Sequence, residues 1–191
     1  MYITEIWGNF TDTTIQPSQT QASIAVNIAT FLAALCWIFL IVFIISKFSK
    51  PAKDFLTSVI SGKTKLLLWL VPTVAMLFSL YFSEFLGWQP CNLCWIQRGF
   101  IYSLSFLMLV YYFKSYKTIR YVAYVFATFS SIVSTYHVLL EKYPNLESAT
   151  CDPNNPCSSP WFTSIGFLTT AGMALTATIT IIALLSLSTN E

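Results

Sequence analysis

The sequence predicts an all-α integral membrane protein with five membrane-spanning helices. Only 9% of its 191 residues are charged, whereas 55% are hydrophobic and 17% are aromatic, and the mean hydropathy is +0.65. A soluble domain carries about a quarter charged residues, because its surface has to be hydrated. Most of the surface of this chain must therefore face an apolar medium, which excludes an ordinary soluble globule and favours the lipid bilayer.

Five predominantly apolar stretches have the length of about 20 residues that a helix needs to cross a hydrocarbon core of about 30 Å. They are residues 23–45, 66–86, 94–113, 121–140 and 164–187. The first stretch has no Lys or Arg before it and no small-residue cleavage site after it, so we predict a retained helix rather than a signal peptide. Residues 1–22 are predicted to be a short polar tail outside the cytoplasm.

The basic residues predict the orientation of these helices. Eight of the ten Lys and Arg residues lie in the first and third predicted loops: Lys47, Lys50, Lys53, Lys63, Lys65, Lys114, Lys117 and Arg120. The positive-inside rule places both loops in the cytoplasm. We therefore expect a multi-pass protein of the bacterial cytoplasmic (inner) membrane. The net charge of +2, without a basic run that contains aromatic residues, indicates no nucleic-acid partner.

Four of the five cysteines form two close pairs, and both pairs fall in loops predicted to face outward. Cys91 and Cys94 form a C-x-x-C at the start of the third span, directly after Pro90. A helix N-terminus stabilises a thiolate, and the thiolate is the nucleophile of disulfide exchange. Cys151 and Cys157 form the second pair in a proline-rich loop. The outer side of a bacterial membrane is oxidising, so disulfides can form there.

Two other interpretations of the cysteines remain open at this point. Each pair could be a static disulfide, or the four thiols could bind zinc. A zinc site would need all four sulfurs about 2.3 Å from one metal ion and would silence the thiols. Two exchanging pairs on one membrane face explain the pattern better, and we predict no metal.

Arg98, His137, Glu84 and Cys36 are the other residues with distinctive chemistry near or inside the spans. Arg98 lies one helical turn after Cys94, where its charge could stabilise a Cys94 thiolate or reach the membrane interface. His137, the only histidine, could donate a hydrogen bond to a bound acceptor or simply be buried in the bundle. We expect Glu84 to face water and assign no role to Cys36.

Residues 89–98, Gln-Pro-Cys-Asn-Leu-Cys-Trp-Ile-Gln-Arg, strongly resemble the DsbB family of membrane disulfide-forming quinone reductases. Residues 135–144, Thr-Tyr-His-Val-Leu-Leu-Glu-Lys-Tyr-Pro, and the segment 149–152 before the loop pair are also similar to the family. The resemblance covers residues 66–187 and implies a four-helix membrane domain. The helix at residues 23–46 is additional to this family pattern.

The resemblance implies a role for each candidate residue. Cys151 would meet the thiol of a secreted thioredoxin-fold partner similar to DsbA, and Cys157 would be its disulfide mate. Cys91 would exchange with this loop pair, and Cys94 would be the thiolate that contacts a quinone, either ubiquinone or menaquinone. Two further residues would belong to the quinone site, namely Arg98 and His137.

The expected activity is therefore that of a thiol:quinone oxidoreductase. The loop between Cys151 and Cys157 is shorter than in the best-known branch of the family and is similar to the Gram-positive, BdbC-like branch. An enzyme of the vitamin K epoxide reductase type is an alternative, but there the loop cysteines precede the C-x-x-C. The other alternative is a non-catalytic membrane protein with two structural disulfides.

Overall fold

The computed structural model describes residues 19–146, 151–152, 154–165 and 168–188, and within them the chain is helical with no strand. The helices are α1 (Gln19–Ser46), α2 (Lys50–Ile60), α3 (Thr64–Leu80), α4 (Asn92–Lys114), α5 (Lys117–Lys142) and α6 (Thr170–Leu187). A π-helical turn, Tyr81–Phe85, continues α3. Residues 1–18 of the predicted polar tail lie outside the described residues, and residues 19–22 already belong to α1.

Five of the described helices are long and apolar enough to cross a membrane, as the sequence predicts. They are α1, α3 with its π turn, α4, α5 and α6. Helices α3 to α6 form a closed four-helix bundle in which α3 packs on α4, α4 on α5, α5 on α6 and α6 on α3. Helix α1 lies outside this ring and packs against α6. The predicted architecture of four helices plus one is confirmed.

The core of the bundle lies in its half remote from the cysteine pairs. Leu68 of α3, Leu104 and Met108 of α4, and Ile181 of α6 are fully buried there. Most of the buried Ser and Thr hydroxyls in the bundle bond either their own helix or a neighbouring one. Thr73 and Ser105, for example, form a 2.8 Å hydrogen bond between α3 and α4. Such pairs satisfy polar groups that lipid cannot hydrate.

Helix α2 was not predicted. It is too short to cross a membrane and is amphipathic, with Leu56 and Ile60 buried and Lys50 and Lys53 exposed. Pro51 stands at its start, where the missing N–H of proline costs nothing. This pattern is typical of a helix that lies in the membrane interface.

The last span begins at Thr170, six residues later than the prediction of residue 164. Residues 164 to 169 are apolar enough to extend a hydropathy plot, but Ser164 and Leu168 lie outside the helix and exchange two backbone hydrogen bonds of 2.8 Å with each other. The side chain of Thr169 then caps α6 by accepting the N–H of Gly172 at 3.1 Å. Hydropathy does not detect such a cap.

The two ends of the bundle differ in chemistry. At the basic end, Lys65 donates to the Ser115 hydroxyl at 2.8 Å, and Arg120 donates to the Ser188 carbonyl at 3.3 Å. Ser115 ends α4 in the left-handed conformation with φ of 53°. Both basic loops therefore meet at one end. The two cysteine pairs, at the start of α4 and in the loop after α5, lie at the other end, which we call the cysteine end.

Removing a core side chain should destabilise the bundle more than removing a peripheral one. We expect Leu104→Ala to lower the free energy of unfolding by about 2 kcal/mol, because Leu104 is 0% exposed and a cavity forfeits its packing contacts. Phe106→Ala is the control, since Phe106 is 67% exposed on the same helix. Thermal unfolding in detergent measures both, and equal losses would contradict this location of the core.

Candidate active site

The C-x-x-C pair forms the N-terminus of α4. Cys91 is the N-cap residue, with extended backbone angles, and its sulfur accepts the backbone N–H of Cys94 at 3.3 Å. The two sulfurs are unbonded and lie 2.7 Å apart, with Cys91 buried and Cys94 half-buried. Removal of two electrons and two protons would therefore convert this dithiol into a disulfide with only a small movement of the sulfurs.

The environment of Cys91 favours its thiolate. The hydrogen bond from the Cys94 thiol, supported by the His137 ring and by the backbone N–H of Cys94, lowers the pKa of Cys91 to about 4 against the opposing effect of burial. The sequence led us to expect the thiolate on Cys94. In the dithiol arrangement Cys91 occupies the N-cap position and is the thiol with the lowered pKa. A Cys94 thiolate that contacts a quinone stays a prediction.

The loop pair lies directly beside the dithiol. Cys151 and Cys157 form a disulfide with a Cα–Cα distance of 5.9 Å, and both are buried. They share one apolar cluster with Cys91 and Leu140. Between them Asp152 forms a tight turn, in which its carboxylate accepts the N–H of Asn154 at 2.8 Å. The structure therefore brings the two predicted pairs together.

His137 contacts both cysteine pairs. Its Nε2 lies 3.7 Å from the Cys91 sulfur and 3.1 Å from the Cys157 carbonyl oxygen, and its side chain is 2% exposed. A carbonyl oxygen can only accept, so Nε2 carries the proton. The Nε2–H of His137 thus faces both the Cys91 sulfur of the helix pair and the Cys157 carbonyl of the loop pair.

Arg98 is held by α3. Its Nε donates to the Ser79 hydroxyl at 2.9 Å, its Nη2 donates to the Ser79 carbonyl at 2.8 Å, and its guanidinium lies 5.0 Å from the ring centroid of Trp95. Arg98 is buried, so it does not reach toward the interface. Glu84 is exposed, as expected, and accepts a hydrogen bond from Ser83.

An apolar cavity of about 410 Å³ opens beside the dithiol, among α1, α3, α4 and α6. Cys94, Arg98, Trp88 and Trp161 line its cysteine end. Its volume lies within the range of about 300–1,000 Å³ that is typical of small-molecule sites. Cys94 is therefore placed between the loop disulfide and a cavity that suits an apolar ligand.

The backbone carbonyl of Gln89 anchors the loop above this cavity. It accepts hydrogen bonds from the Trp161 indole at 3.1 Å and from the Asn155 side chain at 3.4 Å. Trp161 also stacks on Trp88, with ring centroids 5.8 Å apart and an interplanar angle of 3°. Gly87 adopts a φ of 68° just before Trp88, a conformation that favours glycine.

The structure does not assemble a four-thiol zinc site, because Cys151 and Cys157 are bonded to each other. The ligand atoms of Cys91, Cys94 and His137 do lie within 4.8 Å of one another, which is close enough to hold a metal ion. Assays of these thiols therefore need a chelator.

Comparison with known proteins assigns the family. The family model described as "Disulfide bond formation protein DsbB" matches residues 62–188, more than half of the chain. The chain belongs to the DsbB family. This agrees with the resemblance of residues 66–187, and it leaves α1 and α2 outside the DsbB match.

Several proteins with related names are similar to the chain. "Disulfide bond formation protein C" of Bacillus subtilis is 34% identical over 124 residues, which is 64% of this chain and 90% of that protein. "Probable disulfide formation protein C" of Halalkalibacterium halodurans is 34% identical over 110 residues, 57% of this chain and 80% of that protein. No solved structure matches the chain significantly.

The sequence did not reveal several contacts that position the site. Ser79, the partner of Arg98, lies 19 residues away on another helix. Gln97 donates to Ser134 at 3.2 Å between α4 and α5, one turn from His137. These are ordinary polar residues in apolar spans. Only their position inside a predicted span could have indicated that they form such contacts, since buried polar groups in a membrane need partners.

Alkylation of Cys91 should depend on pH in the way that its lowered pKa requires. In the reduced protein we expect the thiolate fraction of Cys91 to stay constant while the pH is first lowered from neutral. At lower pH the fraction should fall, with a midpoint at a pH of about 4. Cys94→Ala removes the largest stabilising contact, so the midpoint should rise. The measurement is the rate of reaction with a small alkylating reagent, read by mass spectrometry of the peptide that contains Cys91. An unchanged midpoint in the variant would contradict the role of the Cys94 hydrogen bond.

Proposed function

We propose that this chain is a membrane thiol:quinone oxidoreductase that supports disulfide bond formation. It would reoxidise a secreted thioredoxin-fold dithiol protein of the DsbA type and transfer the electrons to a membrane quinone. The observation that carries this proposal is the position of the Cys91–Cys94 dithiol, between the Cys151–Cys157 disulfide and an apolar cavity lined by Cys94.

The first step is exchange with the partner. A partner thiolate attacks the sulfur of Cys151, the bond to Cys157 breaks, and Cys157 leaves as a thiolate. The second partner thiol then attacks the mixed disulfide, so the partner gains a disulfide and the loop becomes a dithiol. Two electrons have moved to the loop pair.

The second step passes these electrons to the helix pair. A loop thiolate attacks Cys91 in the Cys91–Cys94 disulfide, and Cys94 leaves as the thiolate. The second loop thiol displaces Cys91 and restores the Cys151–Cys157 bond. The unbonded helix pair and the bonded loop pair in the structure correspond to the end of this step. The N–H of His137 is placed to stabilise Cys91 when it departs.

The cavity fits a quinone as the electron acceptor. Its walls are apolar, and a buried guanidinium beside Cys94 supplies a donor for a carbonyl oxygen. A bound quinone supplies the oxidising power, since it takes up two electrons and two protons and leaves as the quinol. Arg98 contributes positive charge next to the Cys94 thiolate, and Ser79 holds the guanidinium in place.

The cysteine end faces the outside of the cytoplasmic membrane in this proposal. Both basic loops lie at the opposite end, where Lys65 contacts Ser115 and Arg120 contacts Ser188. The positive-inside rule then orients the bundle. A secreted partner can reach only the outer face, so the orientation and the partner support each other.

Quinone reduction should depend on the cavity-facing cysteine. With reduced DsbA as the electron donor, decylubiquinone as the acceptor and a chelator present, we expect the purified protein to reduce quinone, and Cys94→Ala to lower the rate at least about a hundredfold. The control is Ile96→Ala, because Ile96 lies about half a turn after Cys94 on α4 and is exposed. Quinone absorbance measures the rate.

Two results would contradict the proposed enzyme activity. One is the absence of quinone reduction by the unaltered protein, and the other is full activity of Cys94→Ala. If, in addition, a single-cysteine DsbA variant never formed a mixed disulfide with Cys151, the alternative of static disulfides would be supported instead.

Arg98 should act on the quinone and not on the partner. Arg98→Gln removes a charged donor, which is worth about 1.5–3 kcal/mol, so we expect the apparent KM for decylubiquinone to rise about tenfold or more. The KM for reduced DsbA should stay unchanged. Steady-state kinetics with each substrate varied in turn separates these effects, and an unchanged quinone KM would show that the guanidinium has only a structural role.

A further inference from the structure

Helix α1 lies outside the family match, yet one of its faces lines the cavity beside the active site. Ala29, Leu32, Ala33 and Cys36 contribute to the cavity wall. Their spacing of i, i+3, i+4 and i+7 puts them on a single helix face. The opposite face is exposed and carries Ile38. The side of α1 that turns toward the bundle is thus the side that encloses the cavity.

Helix α1 is held in this position by packing and by one polar contact. Ala25 and Ala29 are buried in a cluster with Phe82 of the π turn. The hydroxyl of Thr30 donates to that of Ser164 at 3.0 Å. Helix α1 is therefore attached to the bundle and is not a loose anchor.

The cavity is longer than the reactive ring of a quinone requires. It extends along α3 from Ser79, beside Arg98, to Leu67 near the basic end. Twelve residues of α-helix rise about 18 Å. Almost all of the lining beyond Arg98 is apolar, and the small side chains of Ala29, Ala33 and Ala75 leave the space open.

We infer that α1 completes a binding chamber for the isoprenoid chain of the quinone, so that the enzyme prefers quinones that carry a chain. This inference rests on the proposed function, and it gives α1 a role at the site that the family match does not include. The ring end lies near Cys94 and Arg98, and the chain extends between α1 and α3 toward Leu67. Cys36 stands in the chamber wall, so its thiol reports on occupancy.

The first test fills the chamber from the side of α1. Cys36→Trp should raise the KM for decylubiquinone about tenfold, equivalent to about 1.4 kcal/mol, because the larger ring occupies the space of the chain. It should change the KM for duroquinone, which has no chain, less than about twofold. Ile38→Trp adds the same ring to the lipid-facing side of α1 and should change neither constant.

The second test uses the unaltered protein and needs no turnover. Cys36 should react with phenylmercuric acetate, a lipid-soluble reagent that binds neutral thiols by displacing their proton, and decylubiquinone should slow this reaction while duroquinone should not. No reaction in the absence of quinone would show that the thiol is closed off from the cavity and would overturn the inference. Mass spectrometry of the peptide that contains Cys36 gives the rate. This measurement remains decisive if Cys36→Trp does not fold.

The outcomes separate the two proposals. The chamber is overturned if Cys36→Trp is active and leaves the KM for decylubiquinone unchanged. It is also overturned if Ile38→Trp raises this KM as much as Cys36→Trp does. Either result leaves the proposed function intact. Protein that reduces no quinone overturns the proposed function. In that case protection of Cys36 by decylubiquinone still supports the chamber, and absence of protection overturns it as well.

Discussion

The hydrogen bond from the His137 imidazole to the Cys157 carbonyl is the contact on which the candidate redox site depends. Disulfide exchange requires sulfur atoms to meet directly, and the two pairs belong to separate segments of the chain. His137 lies on α5, faces Cys91 at the start of α4 and bonds the backbone of the loop. The bond between Gln97 and Ser134, one turn deeper, fixes α4 against α5 at this level.

The apolar core and the reactive side chains lie at different levels along the axis of the bundle. Eight of the ten Lys and Arg residues and the largest apolar cluster lie toward one end, whereas the two cysteine pairs, the His137 imidazole and the Arg98 guanidinium lie toward the other. Several polar groups at the cysteine end bond between different elements, as Thr169 before α6 does with Glu141 of α5 at 2.6 Å. Lipid offers no competing water, so these contacts set helix positions that hydrophobic packing alone would leave adjustable.

Sequence reasoning predicted the features that leave a local or compositional signal. The five spans follow from hydropathy, and the C-x-x-C at a helix start follows from its position at a span boundary. The start of α6 at Thr170 was missed because the preceding segment is also apolar. The pairing of Arg98 with Ser79 and the cavity wall from α1 are long-range contacts, and no periodicity within one helix indicates which neighbour it will face.

The anchorage of the loop has a consequence for how freely this region can evolve. The acceptor for both Trp161 and Asn155 is the main-chain oxygen of Gln89, and the Gln89 side chain is not needed for either bond. Substitution at position 89 would therefore leave the attachment in place, provided that the backbone keeps its course. The side chain at position 89 can therefore change during evolution without loss of these bonds, whereas replacement of Asn155 or Trp161 by a residue without a donor removes one of them.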